Sequence, residues 1–227
     1  MSNITGQYYS TSVYLGLGTR LKWPDDFFTG EIGIEYQNYI LKNYPSTFIF
    51  ATGKSNNINL QLTLSRDSRE LQAPTFYNRG IYFMVQGKFT LPYSLMFNAR
   101  KNLNYEDPNL SATDRYRFVE FHKWHLQFEW YTPVWKNLVF KASADMIYLG
   151  LYNKRVGYSP FERVEFGGDG LSNLTEGTQL GRDIISMRGY KEVVSPEGGA
   201  PIMNKFSMEL RYPISLNQSA TIYALLF

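Results

Sequence analysis

Apolar and polar positions alternate with a period of two along most of the chain, the spacing that sends successive side chains to opposite faces of a strand. Val13, Leu15, Leu17, Thr19, Leu21 and Trp23 form one side of the first run, while the mostly small or polar Tyr14, Gly16, Gly18, Arg20 and Lys22 lie between them. Pro24-Asp25-Asp26 reads as a turn. Beyond it Phe28, Ile32, Ile34, Tyr36 and Ile40 oppose Glu31, Glu35 and Gln37, which predicts a hairpin with arms of about ten residues. Five further runs alternate in the same way: Ile58 to Leu64 against Asn57 to Ser65, Ile81 to Leu91 against Tyr82 to Thr90, Trp124 to Trp130 against Lys123 to Glu129, Leu138 to Tyr148 against Lys141, Ser143 and Asp145, and Phe206 to Tyr212 against Lys205 to Arg211. Ala220 to Phe227 is an eighth strand, too apolar to orient. The pattern therefore predicts an all-β chain of about eight strands with no convincing helix.

A soluble sandwich or lipocalin-like barrel alternates as well, so the distinction rests on the polar face and the strand ends. Long charged and amide side chains recur in mid-strand on the polar face. Aromatic residues cluster where strands meet turns, as in Trp23, Phe27 and Phe28, then Trp130, Tyr131 and Trp135, then Tyr148 and Tyr152. A transmembrane antiparallel β-barrel needs both features, because its outside meets lipid, its inside meets water, and Tyr and Trp sit at the headgroup level. An aromatic content of 17% beside a mean hydropathy of -0.32 fits that division. No uninterrupted apolar stretch approaches the ~18 to 20 residues of a spanning helix, which excludes a helical membrane protein. The 227 residues include no cysteine, removing disulfide frameworks, thiolate zinc sites and thiol catalysis. A net charge of +3 with no block of like charges indicates neither a nucleic-acid tail nor a polybasic anchor. The opening Met-Ser-Asn-Ile-Thr-Gly-Gln lacks the basic and apolar regions of a secretory signal, so export would require a leader outside this sequence.

Candidate chemistry is sparse. His122 and His125 are three apart on a strand and fall on opposite faces, His125 toward the lumen, so they cannot share a metal. No nucleophile elbow, phosphate loop or suitably spaced carboxylate pair is present, and neither enzymatic activity nor a cofactor is expected. The segment 153–201, roughly 50 residues, is the one long irregular stretch, and connections beyond about 15 residues are usually functional or disordered. Phe161, Val164, Phe166, Leu171, Ile184, Ile185, Met187 and Tyr190 supply too many apolar anchors for a solvated tail. The segment is expected to fold inside or over something. Its Gly167-Gly168-Asp169-Gly170 reads as tight turns rather than an ion site.

Pro160-Phe-Glu-Arg-Val-Glu-Phe-Gly-Gly168, Ile185-Ser-Met-Arg-Gly-Tyr190, Gly198-Gly199 and Met208-Glu-Leu-Arg-Tyr-Pro213 follow one another through and beyond this loop. Asp67, Ala73-Pro74-Thr75-Phe76 and Gly80 lead into the Ile81 to Pro92 strand. In this series they resemble the barrel of the BamA-like outer-membrane assembly factors, in the bacterial surface antigen superfamily. The resemblance implies a sixteen-stranded barrel, of which this chain is an interior part, with soluble POTRA repeats elsewhere and the loop folded back into the lumen. It implies that Arg188, Gly189 and Tyr190 form a loop tip held to the inner wall, with the Arg188 guanidinium gripping the Glu209 carboxylate and the backbone at Gly189 close to the wall. Gly167 and Gly168 would be its turn glycines. An eight-stranded barrel has room only for side chains, which agrees with the larger assembly. The implied function is folding and insertion of other barrel proteins into the bacterial outer membrane, with lipids, unfolded barrel substrates and accessory lipoproteins as partners and no nucleic acid. A polypeptide-secretion pore of the same superfamily and a free-standing small barrel acting as adhesin or surface antigen are the alternatives.

Overall fold

The computed structural model describes residues 6–43, 51–97, 103–168, 183–190 and 199–227. Of the described residues 66% are in strands and 5% in helices. In chain order the strands are β1 (Gln7–Leu21), β2 (Phe28–Lys42), β3 (Gly53–Asp67), β4 (Glu70–Ala73), β5 (Phe76–Thr90), β6 (Phe121–Trp135), β7 (Leu138–Leu151), β8 (Val164–Phe166), β9 (Asp183–Ile185), β10 (Ile202–Asn217) and β11 (Ala220–Leu226). One antiparallel meander, β1-β2-β3-β5-β6-β7-β10-β11, holds all the long strands, with β4 paired to β5 at one end. Among the described residues β1 pairs only with β2 and β11 only with β10, so these two are the edges of an open sheet.

β1, β2, β3, β5 and β6 are each 15 residues long. At about 3.3 Å per residue that exceeds the ~9 to 11 tilted residues needed to cross a bilayer. The connections differ sharply between the two ends of the sheet. At one end they are short: 22–27, the β4 hairpin, Lys136-Asn137 and Gln218-Ser219. At the other they are 43–52, 91–120 and 152–201. In the first turn Asp25 accepts from the Phe27 N–H at 2.9 Å and pairs with Arg66 at 2.8 Å. This side-chain-closed turn fixes the register of the first three strands.

Among its described residues the 91–120 connection carries two short helices that alternation did not predict, α1 (Tyr93–Met96) and α2 (Ala112–Tyr116). Ser111 caps α2, its hydroxyl accepting from the Asp114 N–H at 3.0 Å. Helices of a single turn are too short to imprint a 3.6-residue period.

Register aligns the alternation of every strand. Leu17, Ile32, Leu62, Gly87, Trp124, Tyr148 and Ile202 form one continuous row across the sheet. Thr29, Ser65, Met84, Gln127, Asp145 and Lys205 form a row on the opposite face. The apolar face is the exposed one, including Leu15, Leu17, Ile32, Ile34, Trp124, Phe128 and Phe206. The polar face is the covered one, with Glu35, Asn57, Asn59 and Lys123 all buried. Sheets that pack one face on a soluble core show the reverse. Among the described residues the buried apolar side chains gather in four separate small clusters at strand ends and beneath the long loop, where a soluble domain usually has one contiguous cluster.

Candidate functional site: a loop anchor on the polar face

The polar face of β2, β3, β5 and β6 carries a group of buried charges, Glu35, Lys88 and Lys123. Register sets Lys88 directly opposite Lys123 and Gln61 opposite Lys88, with Glu35 beside Asn59. Two lysines placed across a ladder repel each other unless counter-ions lie between them. Glu35 is one such counter-ion, 3.3 Å from the Lys88 ammonium. Its carboxylate accepts from Gln61 at 2.8 Å, Gln37 at 3.0 Å and Asn59 at 3.4 Å.

The long loop supplies the others. Glu162 splits its two oxygens between the lysines, Oε1 at 3.0 Å from Lys88 and Oε2 at 3.4 Å from Lys123. Asp183, on the other side of the loop's undescribed stretch, reaches Lys123 at 2.5 Å. The side chains of Glu162 and Lys123 are 5% and 9% exposed, so each would be a costly uncompensated charge without the other. Beside this clasp the Phe161 ring lies flat on Tyr39, centroids 4.4 Å apart and planes 3° apart.

Three stretches of the loop are tied to one another as well as to the sheet. β8 and β9 pair in parallel, and Val164 exchanges two backbone hydrogen bonds with Ala200 at 2.9 and 2.8 Å. Ile147 of β7 and Met203 of β10 pack on Val164, with Phe166 and Ile185 against them. The inward-facing Ile147 interrupts the polar face because it lies under the loop. Lys205 Nζ donates to the Ser186 carbonyl at 2.7 Å.

The residues marked by motif occupy the neighbouring stretch. Gly167 and Gly168 have φ of +111° and +68°, and Gly167 N–H donates to Ile185 while Met187 N–H donates to Gly168. Arg188 does not grip Glu209. Its guanidinium lies over the Phe227 ring, 4.2 Å from the centroid, and no ion pair joins Arg188 to Glu209 among the described residues. Instead Arg211, two residues along and therefore on the same face, is the cation at Glu209, donating to its Oε2 at 2.6 and 2.8 Å. Gly189 is not crowded by a wall either, since a Cβ there would meet nothing within 4 Å; its φ of +90° is what favours glycine. Tyr190 is 52% exposed, its N–H bonded to the Met187 carbonyl at 3.2 Å. Gly170, Leu171 and Gly198 lie outside the described residues.

If φ rather than space constrains Gly189, Gly189→Ala will cost about 1 kcal/mol and Gly189→Asn less, because asparagine tolerates left-handed backbone. Loop proteolysis rates measure both. Crowding would instead make asparagine the worse substitution.

A second cluster sits toward the end with short turns. Arg69 pairs with Asp67 at 2.7 Å and Glu129 at 2.5 Å, and its guanidinium lies over the Tyr77 and Tyr82 rings at 4.5 and 4.4 Å. Lys141 completes it, 3.1 Å from Glu129. Phe76 and Ala73 of the β4 hairpin are buried with Tyr131 and Val139, so this turn folds onto the polar face rather than continuing the strand.

His125 pairs with Asp145 at 2.7 Å, whereas His122 takes the Trp124 indole N–H at 3.1 Å on the other face. Among the described residues no group of three or more His, Asp or Glu could hold a metal ion. What these groups do is hold one segment against another. Sequence reasoning did not single out Glu162, Asp183, Lys88 or Lys123, although two polar-face lysines in strands of known orientation were a signal that acidic partners must reach them. No protein-family model matches the chain, and no curated protein matches it.

Proposed function

We propose that this chain is the eight-stranded part of a transmembrane β-barrel of a BamA-like outer-membrane assembly factor. Such a factor folds and inserts other barrel proteins into the bacterial outer membrane without covalent chemistry. The observation that carries the reading is the inverted sheet, apolar face exposed and polar face covered, with a long loop clasped to the polar face. Three further features support it. On β3 the apolar-face positions run Lys54, Asn56, then Ile58, Leu60, Leu62, Leu64, then Arg66, an apolar band bounded by polar residues at both ends. Short turns at one end and long connections at the other are the asymmetry of outer-membrane barrels. The order of the Gly-Gly, Arg-Gly-Tyr and Glu-Leu-Arg motifs around a loop is the family's own.

In this reading the lumen is occupied by the loop, and substrate folding proceeds by main-chain templating at a strand edge of the assembled barrel. That step rests on family analogy. Depletion of the full-length protein tests it: barrel proteins should be lost from the outer membrane while lipids and lipoproteins remain. Loss of one secreted polypeptide with barrel proteins unaffected would favour the secretion-pore alternative and overturn the assembly reading.

Topology is tested separately. The chain has no cysteine and hence no labelling background. Register puts Trp124, Leu126, Phe128, Trp130, Phe140, Met146, Phe206 and Leu210 on one face and Lys141, Asp145 and Lys205 on the other. Single cysteines at the first set should resist a charged thiol reagent in membranes, and those at the second should react through the lumen. Equal labelling of both sets would sink the barrel reading.

A further inference from the structure

β5 ends at Thr90, paired with Asn59, while β3 continues to Gly53 without it. Helix α1 fills the vacated place beside β3. The Tyr93 hydroxyl accepts from the Ile58 N–H at 2.6 Å and contacts the Ile58 carbonyl at 3.4 Å, and the Tyr93 side chain is buried. Ser94 is held at a second point by the buried Glu120, which accepts from both its backbone N–H and its hydroxyl, the latter at 2.9 Å. A single helical turn has no stability of its own, so these two attachments give α1 its place.

The side chains that follow are apolar and open. Leu95 is 81% exposed, Met96 56% and Phe97 48%. The rings of Tyr93, Phe97 and Phe118 meet at centroid distances of 4.9 to 6.3 Å, and the exposed Arg117 guanidinium lies 5.9 Å from the Phe118 ring. Three consecutive exposed apolar side chains with a cation at their rim suit neither water nor the middle of a bilayer.

Their height on the sheet decides between environments. Ile58, to which α1 is bonded, is the last apolar residue of the β3 band, and Asn56 and Lys54 follow it on the same face. Its cross-strand neighbour Tyr36 donates to Asn56 Oδ1 at 3.1 Å, an aromatic ring with its polar tip turned toward the polar side. Helix α1 is thus pinned at the level where the apolar face gives way to polar residues, contiguous with that face.

We propose that α1 is an interfacial membrane anchor, inserting Leu95, Met96 and Phe97 among the upper acyl carbons of the bilayer while Arg117 meets lipid phosphates. The inference rests on the lipid-facing reading of the apolar face and adds to it a second contact with the membrane, outside the strands. Charge complementarity selects lipid as the occupant: phosphates match Arg117, and acyl chains already adjoin Ile58 and Leu60 in that reading. The anchor would hold the 91–120 connection down at the rim of the barrel rather than let it extend into solvent.

The test uses the full-length protein in vesicles of phosphatidylcholine and phosphatidylglycerol. A polarity-sensitive fluorophore is attached through Leu95→Cys or, in a second variant, Met96→Cys, with Phe206→Cys as the mid-strand reference. Lipids brominated near the carboxyl end of the acyl chain should quench the α1 reporters at least two-fold more than lipids brominated near the methyl end, and the α1 emission should be blue-shifted from its value in water. Arg117→Gln should reduce shallow quenching in these vesicles. Water-like, unquenched α1 reporters beside a quenched Phe206 reporter would overturn the anchor alone. Lack of quenching at all three positions would overturn the lipid-facing reading with it. A blue shift that depends on protein concentration and not on lipid bromination would assign the patch to a protein partner and likewise overturn the anchor.

Discussion

Glu162→Ala will release the long loop from the polar face of the sheet, with a larger loss of local stability than substitution of the motif residue Arg188. Among the described residues its carboxylate is the one group that pairs with both Lys88 and Lys123, and its removal leaves two facing ammonium groups with Glu35 and Asp183 as the counter-ions described there. Breaking a well-buried ion pair costs about 3 to 5 kcal/mol, and in the proposed barrel a wet lumen would lower that toward the values of exposed pairs. About 3 kcal/mol is expected here, roughly a hundredfold faster hydrogen exchange at the Gly167 and Met187 amides, whose bonds tie the loop segments together. Glu162→Gln should fall between the alanine variant and the parent, because the amide fills the same space and keeps a carbonyl acceptor for one lysine. A double-mutant cycle of Glu162→Gln with Lys123→Met should show coupling above about 1 kcal/mol, whereas Arg188→Ala with Glu209→Ala should be additive within about 0.5 kcal/mol. Arg188→Ala alone removes a cation–π contact worth about 0.5 to 1 kcal/mol at an open site. An Arg188→Ala variant that frees the loop as fully as Glu162→Ala would show that the anchor lies at the tip and not at the clasp.

That contrast marks where reading the sequence stops. Alternation in period two is a one-dimensional signal: it located the eight long strands and oriented the seven between Val13 and Tyr212 that obey it, but gave no face to the apolar run Ala220 to Phe227. The clasp is two-dimensional. Lys88 and Lys123 are recognisable as polar-face residues from their own strands, but that they stand opposite each other depends on the β5–β6 register across the 91–120 connection, which alternation does not fix. Glu162 sits inside a stretch that attracted attention as a motif, in a segment without period, so nothing local distinguished it from Glu165 three residues on. The Arg188–Glu209 pairing came from family likeness. It did not weigh Arg211, which the Glu-Leu-Arg motif itself places two residues beyond Glu209 on the same face. In the structure that neighbouring arginine, not the loop, supplies the charge facing Glu209. The inward Ile147 teaches the same point from the other side: an apolar residue on the polar face of a strand was a sign that something covers it.

Phe206→Arg discriminates between environments by the size of its effect. Phe206 is 67% exposed, pairs with Ala144 across the ladder, and shares its face with Met208 and Leu210. On a soluble protein, an arginine at so open a position changes stability by no more than about 0.5 kcal/mol, and it improves solubility. Facing lipid near the bilayer midplane, the same change costs about 2 to 4 kcal/mol, falling toward 1 or less near an interface, because the guanidinium must snorkel or draw water inward. Lys205, one residue earlier, faces the other way, where its ammonium donates to the Ser186 carbonyl. Lys205→Arg should therefore be nearly neutral, separating the effect of the environment from that of an added cation. Urea titration of the full-length protein folded into phosphatidylcholine vesicles measures both variants. A Phe206→Arg protein as stable as its parent would place this apolar face in water, and the barrel, the loop-filled lumen and the interfacial role of α1 would all have to be abandoned together.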